Sequence, residues 1–171
     1  RDTAYLNLPW RVRRKLHAET AEAIEARAGD DAAERAELLA VHWFNAADHA
    51  RAWPYLRAAA ERARFDLAPV EASRFLEQAI DCIPHLGPEA RDLRGELEQQ
   101  LAEEYETLGR FEQAERTYQR ARTHTADPLR RIELLGRSAR VARSMRSLPT
   151  AVRRYRRALA EVPADAYATR A

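Results

Sequence analysis

Small and aromatic residues return along this chain at the same offsets, and that self-similarity leaves few folds open to it. The clearest unit starts at Leu101-Ala102-x2-Tyr105 and continues through Gly109, Phe111, Ala114, Tyr118 and Ala121. A second has Leu135, Ser138, Ala139, Leu148, Ala151, Tyr155, Ala158 and Pro163, with Ala142 and Arg146 where the first has an aromatic residue and a glycine. Upstream, Leu39-Ala40-x2-Trp43 leads to Ala52, Leu56 and Ala59, and a half-unit of Ala72, Leu76, Ala79 and Pro84 follows. Within each helix, recurrence at steps of three and four places these residues along one stripe, so each full unit is a hairpin of two helices. The alanines let two backbones approach, while Trp43, Tyr105, Tyr118 and Tyr155 are expected to fill the gaps between them. One such hairpin leaves a face bare, so hairpins must stack to bury it.

Helix boundaries follow from Pro, Gly and Asp. Leu8 precedes Pro9, and Val12, Leu16, Ala23 and Ile24 form a stripe that stops near Gly29. Asp30 or Asp31 is a candidate cap for a second helix, and Asp48 and His49 end it. The third begins near Ala50, with Pro54 expected in its first turn, where backbone N–H groups lack helical partners anyway. Pro69 opens a fourth helix that Pro84 and Gly87 end, and Pro88 opens a fifth that runs to Leu108 before Gly109. Phe111 to Thr123, Pro128 to Met145 and Pro149 to Val162 complete the set. Ala52 and Ala72 are only about 20 residues apart, too few for a full unit, so the third helix should pack on both the second and the fourth. The expected fold is all-α, an α-α superhelix of about eight helices joined by short loops.

In this order the residues resemble tetratricopeptide repeats, with Glu98 where that pattern has a bulky residue and Ala126 at its proline position. Tyr5-Leu6-x-Leu8-Pro9-x-Arg11-x-Arg13-Arg14-x-Leu16-His17, Glu37-Leu38-Leu39-Ala40-x-His42-Trp43 and Ala52-x2-Tyr55-Leu56-x2-Ala59 carry a narrower likeness. They resemble the helical regions that follow the ATPase module of bacterial signal-transduction (STAND-type) ATPases, among them adenylate/guanylate cyclase-related proteins and large transcription regulators. The resemblance spans residues 5–84. The repeats and helix boundaries, rather than this likeness, divide the chain, expected to be a single helical-repeat domain of a larger protein, into a leading helix over 1–30, irregular repeats over 31–86, the best-formed repeat over 87–126, a second over 127–163, and the start of a truncated helix over 164–171. The resemblance implies a sensor or interaction segment of a multidomain switch protein. The chain has no phosphate-binding loop ending in Lys-Ser/Thr, so any nucleotide chemistry of such a protein would belong to other residues.

Charge is unevenly placed although the whole chain is only +2. Residues 66–127 hold 14 acidic and 7 basic side chains, and residues 128–162 hold 10 basic and 2 acidic. Three readings follow: solvated outer faces in an Arg-rich chain with Lys15 its only lysine, a groove for a polar peptide or protein, or a surface for nucleic acid. On the tetratricopeptide register, Glu96, Gln99, Glu103 and Glu106 line the inner face, with Arg140 and Arg143 beside them in the next unit. These six are the candidate partner-binding residues. The nucleic-acid reading would use Arg137, Arg140, Arg143, Arg146, Arg153, Arg154, Arg156 and Arg157, but only Tyr155 interleaves them and steps of three rotate them around their helix. A structural role, as a spacer or in joining protomers, is the remaining alternative.

Catalytic chemistry finds little support. The acids Glu96, Glu98, Glu103, Glu104, Glu106, Glu112 and Glu115 read as solvated helix faces. His17, His42, His49, His85 and His124 fall on separate helices or junctions without metal-ligand spacing, and the serines lack a nucleophile-elbow context. Cys82 stands in an apolar run as a small core group. No catalytic residue, metal or cofactor is expected. A lone cysteine suggests a reducing compartment, and the lack of any uncharged stretch of about 18 residues argues against a membrane span, so the expected location is cytoplasmic.

Overall fold

Proline opens or immediately precedes four of the helices and stands second in a fifth. The computed structural model describes residues 8–162. It is all-α, with nine α-helices and no strand among the described residues. They are α1 (Trp10–Ala28), α2 (Ala36–Asn45), α3 (His49–Phe65), α4 (Pro69–Cys82), α5 (Pro88–Asp92), α6 (Arg94–Thr107), α7 (Phe111–His124), α8 (Pro128–Ser144) and α9 (Leu148–Glu161), with 3-10 turns at Gly29–Arg35 and Ile83–His85. The Tyr5-Leu6 end of the leading motif and the expected helix start at 164–171 lie outside the described residues.

Three local expectations need correction. Neither Asp30 nor Asp31 starts the second helix. Gly29 turns the chain out of α1 at φ +54°, the polar stretch after it winds into 3-10 turns, and α2 begins at Ala36 with no side-chain cap. The single fifth helix is two, because the chain breaks at Leu93 between α5 and α6. Pro54 lies inside α3 rather than in its first turn, because Asp48 caps that helix by accepting from Arg51 N–H (3.0 Å) and so starts it one residue earlier. The Ala50 carbonyl therefore has no i+4 donor.

One three-residue turn recurs four times. Its middle residue is left-handed at Ala47 (φ 56°), Leu67 (54°), Gly109 (69°) and Arg146 (59°). The next N–H reaches back five residues, from Asp48 to Trp43 O (3.1 Å), Ala68 to Ala63 O (2.9 Å), Arg110 to Tyr105 O (2.8 Å) and Ser147 to Ala142 O (2.9 Å). This closure satisfies the last carbonyls of the first helix while the following helix begins at once.

The chain divides into two compact units, Arg1–Pro88 and Glu89–Ala171. In the first, α2 packs on α3 and α3 also packs on α4, the double use that the compressed spacing demands. Leu39, Trp43, Leu56, Phe75, Leu76 and Ile83 form its core, with Ala40, Ala59 and Ala72 at the close approaches. The leading helix α1 departs from its predicted stripe, for Val12 and Leu16 are exposed and Ala21 is its one fully buried side chain. Polar contacts dock it instead. Arg14 Nε donates to Ala46 O (2.9 Å), and Glu25 Oε1 accepts from both Trp43 Nε1 (2.9 Å) and the Tyr55 hydroxyl (3.0 Å).

In the second unit, α6 packs on α7, α7 on α8, and α8 on α9. Leu97, Leu101, Tyr105, Tyr118, Leu134 and Val141 are buried there, with Ala102, Ala114, Ala121 and Ala139 fully enclosed. Tyr155 does not fill a gap as Tyr118 does. It is 38% exposed, on a stripe of α9 shared with exposed Leu148, Val152 and Leu159, since no described element covers that side.

Candidate partner-binding face

Glu96, Gln99, Glu103 and Glu106 step by three and four along α6, so they share one face of it. Arg140 and Arg143 stand near the end of α8. The two helices are joined by α7, antiparallel to each, so they run in the same direction. Their cross-links advance together: Arg130 Nε donates to Gln99 Oε1 (3.1 Å), Arg137 to Glu103 Oε1, and Arg140 Nη2 to both oxygens of Glu106 (3.1 and 3.2 Å). Gln99 Nε2 also donates to Glu103 Oε1 (3.0 Å), and Arg137 reaches Glu133 of its own helix (2.8 Å). Below this ladder the Tyr118 hydroxyl donates to Glu106 Oε1 at 2.6 Å.

These contacts set the electrostatics of the face. The hydrogen bond that Arg140 donates to Glu106 is the main reason the Arg140 pKa rises above the ordinary guanidinium value. For Arg137, burial opposes the charge, but hydrogen bonds to Glu133 and Tyr118 and the field of Glu103 outweigh it and raise its pKa. Burial, then the bond to Glu106, pushes the Tyr118 phenol well up, so it stays a donor at any physiological pH. Four of the six candidates, Gln99, Glu103, Glu106 and Arg140, thus interact across helices. Glu96 and Arg143 remain exposed without an ion pair among the described residues, at opposite ends of the ladder.

Two of the acids read as solvated are not. Glu98 is fully buried and Glu104 nearly so. Glu98 replaces the bulky residue of the repeat pattern by accepting from Arg94 Nε (3.3 Å) and lying 2.6 Å from His124 Nδ1. Gly95 makes this possible, because a Cβ there would stand 2.6 Å from Thr125 Oγ1 and 3.0 Å from His124 O. Sequence reasoning also missed Arg130 and the Tyr118 hydroxyl, and it named Arg137 only in the nucleic-acid reading. Only the i+4 step from Glu133 to Arg137 and from Gln99 to Glu103 marked any of them.

In the first unit the scattered histidines meet in pairs. His17 Nδ1 and His42 Nδ1 lie 3.1 Å apart between α1 and α2, so one ring donates and the other accepts. His49 and His85 stack with ring centroids 4.2 Å apart, and Cys82 Sγ lies 3.5 Å from His49 Nδ1. Burial lowers the pKa of His17, His42 and His49; Arg13 adds to it at His17, His17 at His42, and His85 and Arg14 at His49. Burial, aided by the charge of Asp81, pushes the Cys82 thiol up to about 12, so it is protonated at neutral pH. No group of three or more His, Cys, Asp or Glu side chains suited to a metal ion occurs among the described residues. Nor is any described helix long and apolar enough to cross a membrane. Comparison with protein-family models and with curated proteins finds nothing that matches this chain.

Proposed function

We propose that the chain is a non-catalytic interaction module, the regulatory or sensor segment of a larger signalling protein, and that it binds an extended polar peptide along the α6–α8 face. The observation that carries this reading is the parallel ladder from Gln99–Arg130 to Glu106–Arg140, which holds long side chains in place before a partner arrives. The ladder neutralises its own middle and leaves Glu96 at one end and Arg143 at the other. At ~1.5 Å per residue the two ends are about 20 Å apart, the span of about six residues of extended chain. The partner is then a peptide with a cationic side chain towards Glu96 and a carboxylate towards Arg143.

The repeated turn, with its left-handed residue at the aligned positions 47, 109 and 146, supports a tetratricopeptide-like reading of the hairpins. The likeness over residues 5–84 supports placing the segment in a bacterial signal-transduction ATPase, whose nucleotide chemistry would lie outside this chain.

Fluorescence anisotropy with labelled six-residue peptides of opposite charge polarity tests the proposal. The peptide with Lys first and Glu last, and its reverse, should differ in affinity for the intact chain. The double variant Glu96→Arg, Arg143→Glu should exchange that preference with the helical circular dichroism unchanged. Equal binding of both peptides, or a preference that survives the double variant, would sink the reading.

A further inference from the structure

A cleft in the Glu89–Ala171 unit lies between α7, α8 and α9, on residues that, Tyr118 apart, the peptide reading does not use. Its volume is about 410 Å³. Tyr118, Leu134 and Leu135 form its apolar floor, and Arg122, Arg153, Arg154 and Arg157 line it. Four cations in one cleft need counter-charge. Arg154 pairs with Glu115 and donates through Nη1 to Ser138 O (3.2 Å), while Arg157 Nε (2.8 Å) and Arg122 Nη2 (3.4 Å) share a single oxygen of Glu161. Two carboxylates therefore answer four guanidinium groups, and Arg153 has no ion pair among the described residues. The hydrogen bond from Arg157, then the charges of Arg122, Arg157 and Arg131, hold the Glu161 carboxyl below its usual range, so it is already ionised and the excess of about two positive charges stands at neutral pH.

Two buried polar atoms in the cleft wall have no partner. Ser138 is 2% exposed and its hydroxyl makes no hydrogen bond, and the Arg122 Nε–H is likewise buried and unmatched. Buried donors are almost always satisfied, so a pair of orphans beside an uncompensated positive field marks a place for an acceptor. The acceptor must carry negative charge and several oxygens, and it must reach a hydroxyl at the cleft wall end-on.

We propose that the α7–α8–α9 cleft binds a phosphate monoester dianion, with Arg122 Nε–H and the Ser138 hydroxyl donating to its oxygens and Arg153 and Arg157 closing over its outer side. The ester is borne either by a small metabolite or by a phosphorylated side chain. A phosphodiester within a nucleic-acid strand has one charge and no free end, and it reaches Ser138 poorly.

The test uses the whole chain labelled with nitrogen-15 on arginine. Titration with inorganic phosphate at pH 7.5, against chloride at matched ionic strength, should shift the Arg122 Nε–H resonance saturably, and lowering the pH to 5.5, where the monoanion dominates, should weaken binding. Arg153→Gln, an exposed position, should weaken phosphate binding by about ten-fold, the loss of one charge-assisted contact, and Ser138→Ala should weaken it by a smaller factor. Phosphoserine binding like a phosphoserine hexapeptide assigns the site to small solutes; a peptide bound about ten-fold tighter assigns it to a modified segment. A shift that grows linearly and equally with chloride overturns the proposal. So does an oligonucleotide without terminal phosphate binding more tightly than phosphoserine, or phosphate affinity unchanged in both variants. Because the peptide test reads Glu96 and Arg143, each reading can fail without the other.

Discussion

Arg146 occupies a left-handed position, φ 59°, that its counterpart Gly109 fills without strain. A side chain with a Cβ costs about 1 kcal/mol there, and Arg146 is exposed, so little packing offsets it. Arg146→Gly is expected to raise stability by about 1 kcal/mol, and Gly109→Ala to lower it by a similar amount, both read from urea midpoints at constant slope. Gly95 is a different case, for its backbone is ordinary and its surroundings are not. A Cβ at 2.6 Å from Thr125 Oγ1 forces α6 away from the end of α7, next to the buried Glu98. Gly95→Ala should destabilise by about 1–3 kcal/mol despite its better helix propensity, and a gain in midpoint would refute this close approach. Nothing in the sequence marked Gly95 out, since a glycine inside a helical pattern reads only as a weak point.

At the scale of elements, α3 is the most heavily used helix of its unit, with α2 on one side and α4 on another. It carries Pro54 in its interior, at an exposed position. Restoring a backbone N–H opposite the Ala50 carbonyl should therefore help. Pro54→Ala is expected to stabilise by at least about 1 kcal/mol, part of the helix gain being offset by the freer unfolded chain, and thermal unfolding of the variant checks it. The double packing of α3 was legible in the sequence because the short distance from Ala52 to Ala72 leaves no room for another helix. The docking of α1 was not. Val12 and Leu16 have helical spacing, yet they are exposed, and Glu25, His17 and Arg14 hold it through groups whose partners lie 18 to 32 residues away.

For the molecule as a whole, the paired histidines tie stability to pH. Burial disfavours the imidazolium of His17, His42 and His49, so the folded chain binds fewer protons than the unfolded one. Their contribution is complete above the unfolded pKa of about 6.5 and is lost as the pH falls through that value towards the lowered folded values. Asp48 and Asp81, near His49, soften the effect without reversing it. Urea unfolding at pH 7.5, 6.5 and 5.5 should show a falling midpoint that flattens in a variant carrying His17→Gln, His42→Gln and His49→Gln. A midpoint independent of pH in the parent chain would contradict the burial of these rings. The lowered pKa of Glu161 acts below this window and does not interfere.

Most of the helices, the Gly109 turn and much of the core were determined by the sequence alone, because a stripe at three- and four-residue steps and a Pro or Gly at its end act within a few residues of chain. The uneven charge was visible too, but its use was not. Much of the acid of α6 and the base of α8 meet each other, Glu103 with Arg137 and Glu106 with Arg140, across a register that only the packing of three helices sets. The same holds for buried Glu98, for the stacked His49 and His85, and for Ser138 and Arg122 at the wall of one cleft. Local periodicity places a residue on a face of its own helix. Which distant group it meets depends on interhelical distance and register, and these emerge only when the side chains of several helices pack together.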